Sequence, residues 1–167
     1  MRIYVSRVNE SWIVNRFRNE WYKSNKKIST KNIYLSDIVW IIAPWSIKPK
    51  TLRKLNTKKV LCTVHHIENL EDNSVEVKKI REIDEYVDEY HTISQKSYDQ
   101  LKSLTNKKIN LIPFWVDNSK WYELENKSKL REKFGLTSKD FLLGSFQRDT
   151  EGHDLISPKL IKGPDIF

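Results

Sequence analysis

The chain has 167 residues, of which 38% are hydrophobic and 31% charged, and it carries a formal net charge of +8 at pH 7. This length suits one domain, or one domain and the beginning of another, and the hydrophobic content excludes a wholly disordered chain. A single cysteine excludes a disulfide framework, and the longest apolar run, residues 38–47, is about half of what a membrane-spanning helix requires.

Short apolar runs alternate with segments of helical periodicity along the chain. The predicted strands are residues 2–6, 37–43, 59–65, 89–94, 108–113 and 140–146. The predicted helices are residues 10–24, 48–56, 74–87, 95–104 and 127–136. Ser74 and Ser94 are in position to cap two of these helices, and Gly135 ends the last one. Such alternation predicts a doubly wound α/β domain, a parallel sheet with helices on both faces.

Ligands of doubly wound sheets bind at the carboxyl ends of the strands. The residues that follow the predicted strands are Ser6, Arg7, Pro44, Trp45, His65, His66, Ser94, Gln95, Phe114, Trp115, Gln147 and Arg148. Because adjacent strand residues point to opposite faces, at least one of the two histidines should face this edge. An imidazole there can bond to a hydroxyl or take its proton, although two loop histidines without a chemical role fit the pattern too.

The sequence lacks the motifs of several other kinds of site. No Gly-x-Gly-x-x-Gly follows the first strand, no serine stands in a nucleophile elbow, and Cys62 lies inside a strand. His65, His66, His91 and Glu68 are suitable metal ligands by type, but their spacing matches no compact motif. We therefore expect neither a classical dinucleotide site nor covalent catalysis nor a metal.

The positive charge is concentrated at the start of the chain. Residues 1–60 carry 14 Lys and Arg against 3 Asp and Glu, residues 61–100 carry 4 against 10, and residues 101–167 carry 12 against 9. The basic first third suggests an anionic partner, which is membrane lipid, nucleic acid or a phosphorylated substrate. A lysine-rich solvated surface is the alternative.

The last residues combine cations with a predicted helix start. Arg148 follows the sixth strand, and Pro164 in Lys162–Gly163–Pro164 suits the first turn of a helix. A helix N-terminus beside Lys and Arg favours binding of an anion. A basic tail without a binding role is the alternative.

Four features in this order resemble the GT-B glycosyltransferases of the large group that includes family 4. They are Ser94 at a strand end, "IPFWVD" at 112–117, "GSFQR" at 144–148, and Lys162–Gly163. "TVHH" at 63–66 is similar to the strand-end histidine of the first domain in that family. The resemblance extends over residues 37–167, and its strength lies in the order and spacing of the motifs.

The resemblance implies two Rossmann-like domains that face each other across a cleft. Residues 1–125 would form the acceptor-side domain, residues 126–140 a linker with a helix, and residues 141–167 the first strand and loop of the nucleotide-sugar-binding domain. We then expect the second domain to be cut short at Phe167, and the fragment alone to be inactive.

The resemblance also implies roles for particular residues. Arg148 and Lys162 would bind the donor diphosphate, where their charge offsets the charge of the leaving group. His65 would lie near the transferred sugar, with His66 as the second candidate. Residues after other strands are candidates for the acceptor cleft: Arg7, Ser94 and Trp115.

The function implied is that of a metal-independent, hexosyltransferase-like enzyme of polysaccharide or glycolipid synthesis. Its donor would be a nucleotide-diphosphate-sugar, its acceptor a glycan or a lipid-linked glycan, and it would need no further cofactor. We expect it in the cytoplasm, with peripheral contact to the anionic inner membrane face and no nucleic acid partner. The alternative is a non-catalytic basic α/β module that binds nucleic acid or anionic membrane.

Overall fold

The computed structural model of the chain describes residues 1–8, 13–55 and 57–144. It divides the chain into two compact units, Met1–Val116 and Asp117–Phe167. All the strands of the described residues belong to the first unit, which ends at Val116, whereas the sequence predicts a domain boundary at 125.

The described residues form one parallel sheet, which confirms the predicted α/β class. Its strands are β1 (Ile3–Val5), β2 (Ile38–Ile41), β3 (Lys59–Val64), β4 (Glu89–Thr92) and β5 (Lys108–Leu111). They pair in the order β1-β2-β3-β4-β5, and each lies inside a segment predicted to be a strand.

Residues 140–144 of the predicted sixth strand have no regular structure. Phe141 and Leu143 are 88% and 82% exposed there. A strand needs a paired neighbour to satisfy its backbone groups, and the described residues of the second unit contain no other strand. Residues 145 and 146 lie outside the described part of the chain.

Helices lie between the strands, with one more after β5, inside the segments predicted to be helical. They are α1 (Ile13–Ser24), α2 (Pro49–Leu52), α3 (Val75–Asp84), α4 (Gln95–Lys102) and α5 (Lys127–Lys133). Both predicted serine caps are confirmed, since Ser74 Oγ and Ser94 Oγ each accept a backbone hydrogen bond of 3.2 Å from the first turn. Gly135, with φ of 69°, follows α5 in the left-handed conformation that commonly ends helices.

The sheet changes its direction of winding at β1. After α1 the chain forms a single parallel bridge between Ser29 and Ile3, and Thr30 N donates to Ile3 O at 3.0 Å. This bridge lies on the side of β1 opposite to β2, because the β1–β2 ladder uses the backbone groups of Arg2, Tyr4 and Ser6. The chain then returns to β2 on the other side. This reversal is the defining feature of a doubly wound sheet, with the second strand of the usual arrangement reduced to one bridge.

Successive residues of β2 contribute to different cores. Val39 and Ile41 join the larger core, to which α2, α3 and α4 contribute Leu52, Ile80 and Leu101. Trp40 and Ile42 join the smaller core on the opposite face. Its other members include Val5 of β1 and Val14 and Phe17 of α1. The two-residue period of the strand thus separates helices onto two faces, as predicted.

The face on the side of α1 is open in the described residues. A cavity of about 440 Å³ lies there, and its wall includes Trp21, Trp40, Leu61, His91, Phe114 and Trp115. Parallel sheets are normally covered on both faces, so this face is less complete than the sequence predicts.

A buried hydrogen-bonded chain crosses the middle of the sheet. Trp40 Nε1 donates to Thr63 Oγ1 at 2.8 Å, and Thr63 Oγ1 lies 2.9 Å from His91 Nδ1. His91 Nε2 lies 2.6 Å from Ile112 O, which can only accept, so Nε2 carries the proton. Burial lowers the pKa of His91, and its neutral Nδ1 accepts the Thr63 hydroxyl proton.

We expect Thr63→Val to lower the free energy of unfolding by about 1–3 kcal/mol, since it leaves two buried polar atoms without their partner. Urea denaturation at pH 7 measures this loss. Thr92→Val is a matched control, because Thr92 is equally buried and its hydroxyl has no hydrogen-bond partner among the described residues. A loss of unfolding free energy no larger for Thr63→Val than for Thr92→Val would show that the hydrogen bonds of Thr63 to Trp40 and His91 add no stability.

Candidate functional site

The carboxyl ends of β1 and β2 lie on either side of the point where the winding reverses. Ligands of doubly wound sheets bind in the crevice at such a point. Ser6, which follows β1, donates its N–H to Trp40 O at 2.8 Å, and its Oγ accepts from Ile42 N at 2.9 Å. The two strand ends are therefore joined by side-chain as well as backbone hydrogen bonds.

A chain of hydroxyl groups holds the short 3₁₀ turn Pro44–Ser46 against β1. Ser46 Oγ lies 2.6 Å from both Ala43 O and Ser6 Oγ. Because a carbonyl oxygen can only accept, Ser46 donates to Ala43 and Ser6 donates to Ser46. Pro44 is buried beside them, whereas Trp45 is 51% exposed. The turn therefore exposes the ring of Trp45 to solvent, while hydrogen bonds and burial hold its backbone in place.

His65 lies half-buried at this edge, directly after β3. Its Nε2 donates to Ile42 O at 2.8 Å, because a carbonyl oxygen can only accept. The ring stacks on Phe114 with centroids 5.3 Å apart and an angle of 25°, and it lies 6.2 Å from the ring of Trp45. An imidazole held in this way can accept a proton from a hydroxyl group bound at the edge.

The backbone of His65 is tied to the beginning of α4. Ser97 Oγ donates to His65 O at 2.9 Å, and Ser94 Oγ lies 3.0 Å from Ser97 Oγ. Ser94, predicted to line the acceptor cleft, is thus the cap of α4 and contacts Ser97, which in turn bonds to the backbone of His65. Its hydrogen bonds are with residues of α4.

The adjacent histidine has a different environment. The side chain of His66 is 61% exposed, and its Nε2 lies 3.5 Å from Glu68 Oε1. No three His, Cys, Asp or Glu side chains form a metal-binding group in the described part of the chain. The possible set of His65, His66, His91 and Glu68 is therefore not brought together.

Of the two aromatic residues after β5, Phe114 is the one in contact with His65. Trp115 is half-buried in the aromatic cluster beneath α1, 5.3 Å from Phe17 between ring centroids, and its Nε1 donates to Glu20 Oε2 at 2.9 Å. Arg7 is exposed directly after Ser6. Of the predicted cleft residues, Arg7 is thus exposed at the edge of the sheet, whereas Trp115 packs against α1.

The predicted donor residues Arg148 and Lys162 lie outside the described residues. Ser46, in contrast, is part of the edge and was not among the predicted strand-end residues. Nothing in the sequence pairs it with Ser6, since forty residues separate them. Only the pairing of β1 with β2 brings these hydroxyls together.

Comparisons with protein-family models, with curated proteins and with solved structures find no match to this chain. The described helices are all too short or too polar to cross a bilayer. The fold and the edge geometry define the class: a Rossmann-like α/β protein with a candidate ligand site at its switch point.

Proposed function

We propose that the chain is the acceptor-side part of a metal-independent GT-B glycosyltransferase, which transfers a sugar from a nucleotide-diphosphate-sugar to a hydroxyl of a glycan or lipid-linked acceptor. The observation that carries the proposal is His65, half-buried at the carboxyl edge with its Nε2 bonded to Ile42 O at 2.8 Å. The doubly wound sheet and the motif order from Ser94 to Lys162–Gly163 support the same class.

The proposed reaction forms a bond between the acceptor oxygen and the anomeric carbon of the donor sugar. The bond from that carbon to the diphosphate breaks, and the nucleoside diphosphate leaves with the electron pair. The His65 imidazole takes the hydroxyl proton or, once protonated, offsets the negative charge that develops beside it. Arg148 and Lys162 bind the diphosphate and stabilise its additional negative charge.

The test is sugar transfer by residues 1–167 joined to the nucleotide-sugar-binding domain that this proposal requires, referred to below as the complete protein. We expect labelled sugar to move from a nucleotide-diphosphate-sugar to a glycan or glycolipid acceptor without added metal. Residues 1–167 alone should transfer none, because donor and acceptor must be held together by two domains. Measurable turnover by residues 1–167, or no transfer from any nucleotide-sugar by the complete protein, would contradict the proposal.

The basic first third extends this proposal to peripheral contact with an anionic membrane. Exposed lysines after α1 are suited to it: Lys26, Lys27 and Lys31. Each cation near an anionic bilayer contributes about 1 kcal/mol, and salt screens the attraction. The contact requires salt-sensitive binding to anionic but not neutral vesicles, whereas preference for a polynucleotide would favour the non-catalytic alternative.

A further inference from the structure

Among residues 1–8, 13–55 and 57–144, Trp45 is the exposed aromatic residue that has a ring contact with the proposed base. Its side chain is 51% exposed, and its ring centroid lies 6.2 Å from that of His65, with an angle of 38° between the planes. The ring therefore adjoins the imidazole and also presents surface to solvent at the switch point.

The position of Trp45 is determined by its neighbours on both sides. Pro44 is buried, and Ser46 is bonded to Ala43 O and to Ser6 Oγ at 2.6 Å each. These contacts hold the backbone on either side of Trp45, so that binding has to order only the ring itself, which lowers the entropic cost.

The residues near Trp45 in the sequence and at the ends of the neighbouring strands are polar. Lys48 follows three residues later, and Arg7 and His66 come just after β1 and β3; all three are exposed. A lipid chain or a protein interface would need a continuous apolar patch. A pyranose ring instead has one face of C–H groups, which suits a single aromatic plane, and hydroxyls on its rim, which suit the serines and the imidazole.

We propose that Trp45 is the stacking platform for the terminal sugar ring of the acceptor and places one of its hydroxyls at His65. This inference rests on the proposed function and deepens it, because it makes a pyranose the part of the acceptor that is recognised. Trp45 determines specificity and takes no part in proton transfer.

The experiment measures binding of methyl β-D-glucopyranoside and methyl β-D-galactopyranoside to the chain of residues 1–167. Saturation-transfer NMR should show the largest transfer to the ring protons of one sugar face. Trp45→Ala should weaken binding by about fivefold to tenfold, whereas Trp45→Phe should retain most of it. Tyr34→Ala is the matched control, since Tyr34 is a 61% exposed aromatic residue that precedes β2 at the opposite edge of the sheet.

Lack of saturation transfer to either glycoside would overturn the inference, as would equal binding by Trp45→Ala and the parent chain. These results are distinct from a failure of the proposed function. Transfer activity in the complete protein together with unchanged glycoside binding in Trp45→Ala would contradict the role of Trp45 but not the proposed function. Glycoside binding that depends on Trp45, without any transfer by the complete protein, would leave a sugar-binding module.

Discussion

We expect His65→Ala to reduce sugar transfer by the complete protein by about a hundredfold or more, with little change in donor affinity. The substitution removes the imidazole from the edge where the acceptor hydroxyl would react, and general acid–base groups commonly contribute a factor of this size. Donor affinity should be preserved because the proposed diphosphate contacts belong to Arg148 and Lys162. Product release measures transfer, and calorimetry measures donor binding.

Two further variants separate chemistry from structure at this position. His65→Gln retains an N–H that can donate to Ile42 O but lacks a basic nitrogen, so it should transfer sugar as slowly as His65→Ala while melting near the parent temperature. His66→Ala should be close to the parent in every measurement, since that side chain is 61% exposed and lies near Glu68. Parent rates for His65→Ala with a loss in His66→Ala would show that the wrong histidine was chosen. Transfer at the parent rate in both variants would show that neither His65 nor His66 has a chemical role.

We expect Arg148→Ala to weaken donor binding by about 1.5–3 kcal/mol, the usual contribution of a charge-assisted hydrogen bond to an ionised group. This corresponds to roughly tenfold to a hundredfold in the dissociation constant. Transfer should also slow, because the same cation would offset charge on the leaving diphosphate. Calorimetric titration of the complete protein with a nucleotide-sugar gives the affinity.

Lys162→Ala should behave in the same way, and Lys159→Ala is its matched control three residues earlier. The segment between Arg148 and Lys162 is longer than the resemblance leads one to expect, so the comparison of the two lysines decides which one occupies the phosphate position. A loss in Lys159→Ala alone would move the assignment to that residue. Unchanged donor affinity in all three variants would exclude a diphosphate site in this segment.

Local pattern was sufficient to predict the strands and α-helices of the first unit, although not the 3₁₀ turn Pro44–Ser46. The five strands lie within predicted segments because each is an apolar run bounded by polar or helical sequence. Ser74 and Ser94 were predictable as caps, since a cap bonds to a backbone group only three residues away. The alternation of strands with helices predicted the parallel sheet, and therefore the edge where His65 lies.

Long-range pairing decided the rest. The bridge from Ser29 to Ile3 places the winding reversal at β1, although one paired residue has no apolar run to reveal it. The contact of His65 with Ile42 and Phe114, rather than with Trp115, depends on how three strand ends meet at one edge. The sequence by itself thus determined the five strands, the α-helices between them and the edge, because caps and periodicity act within a few residues. Only the tertiary structure decided which side chains meet there, because those contacts join residues far apart in the chain.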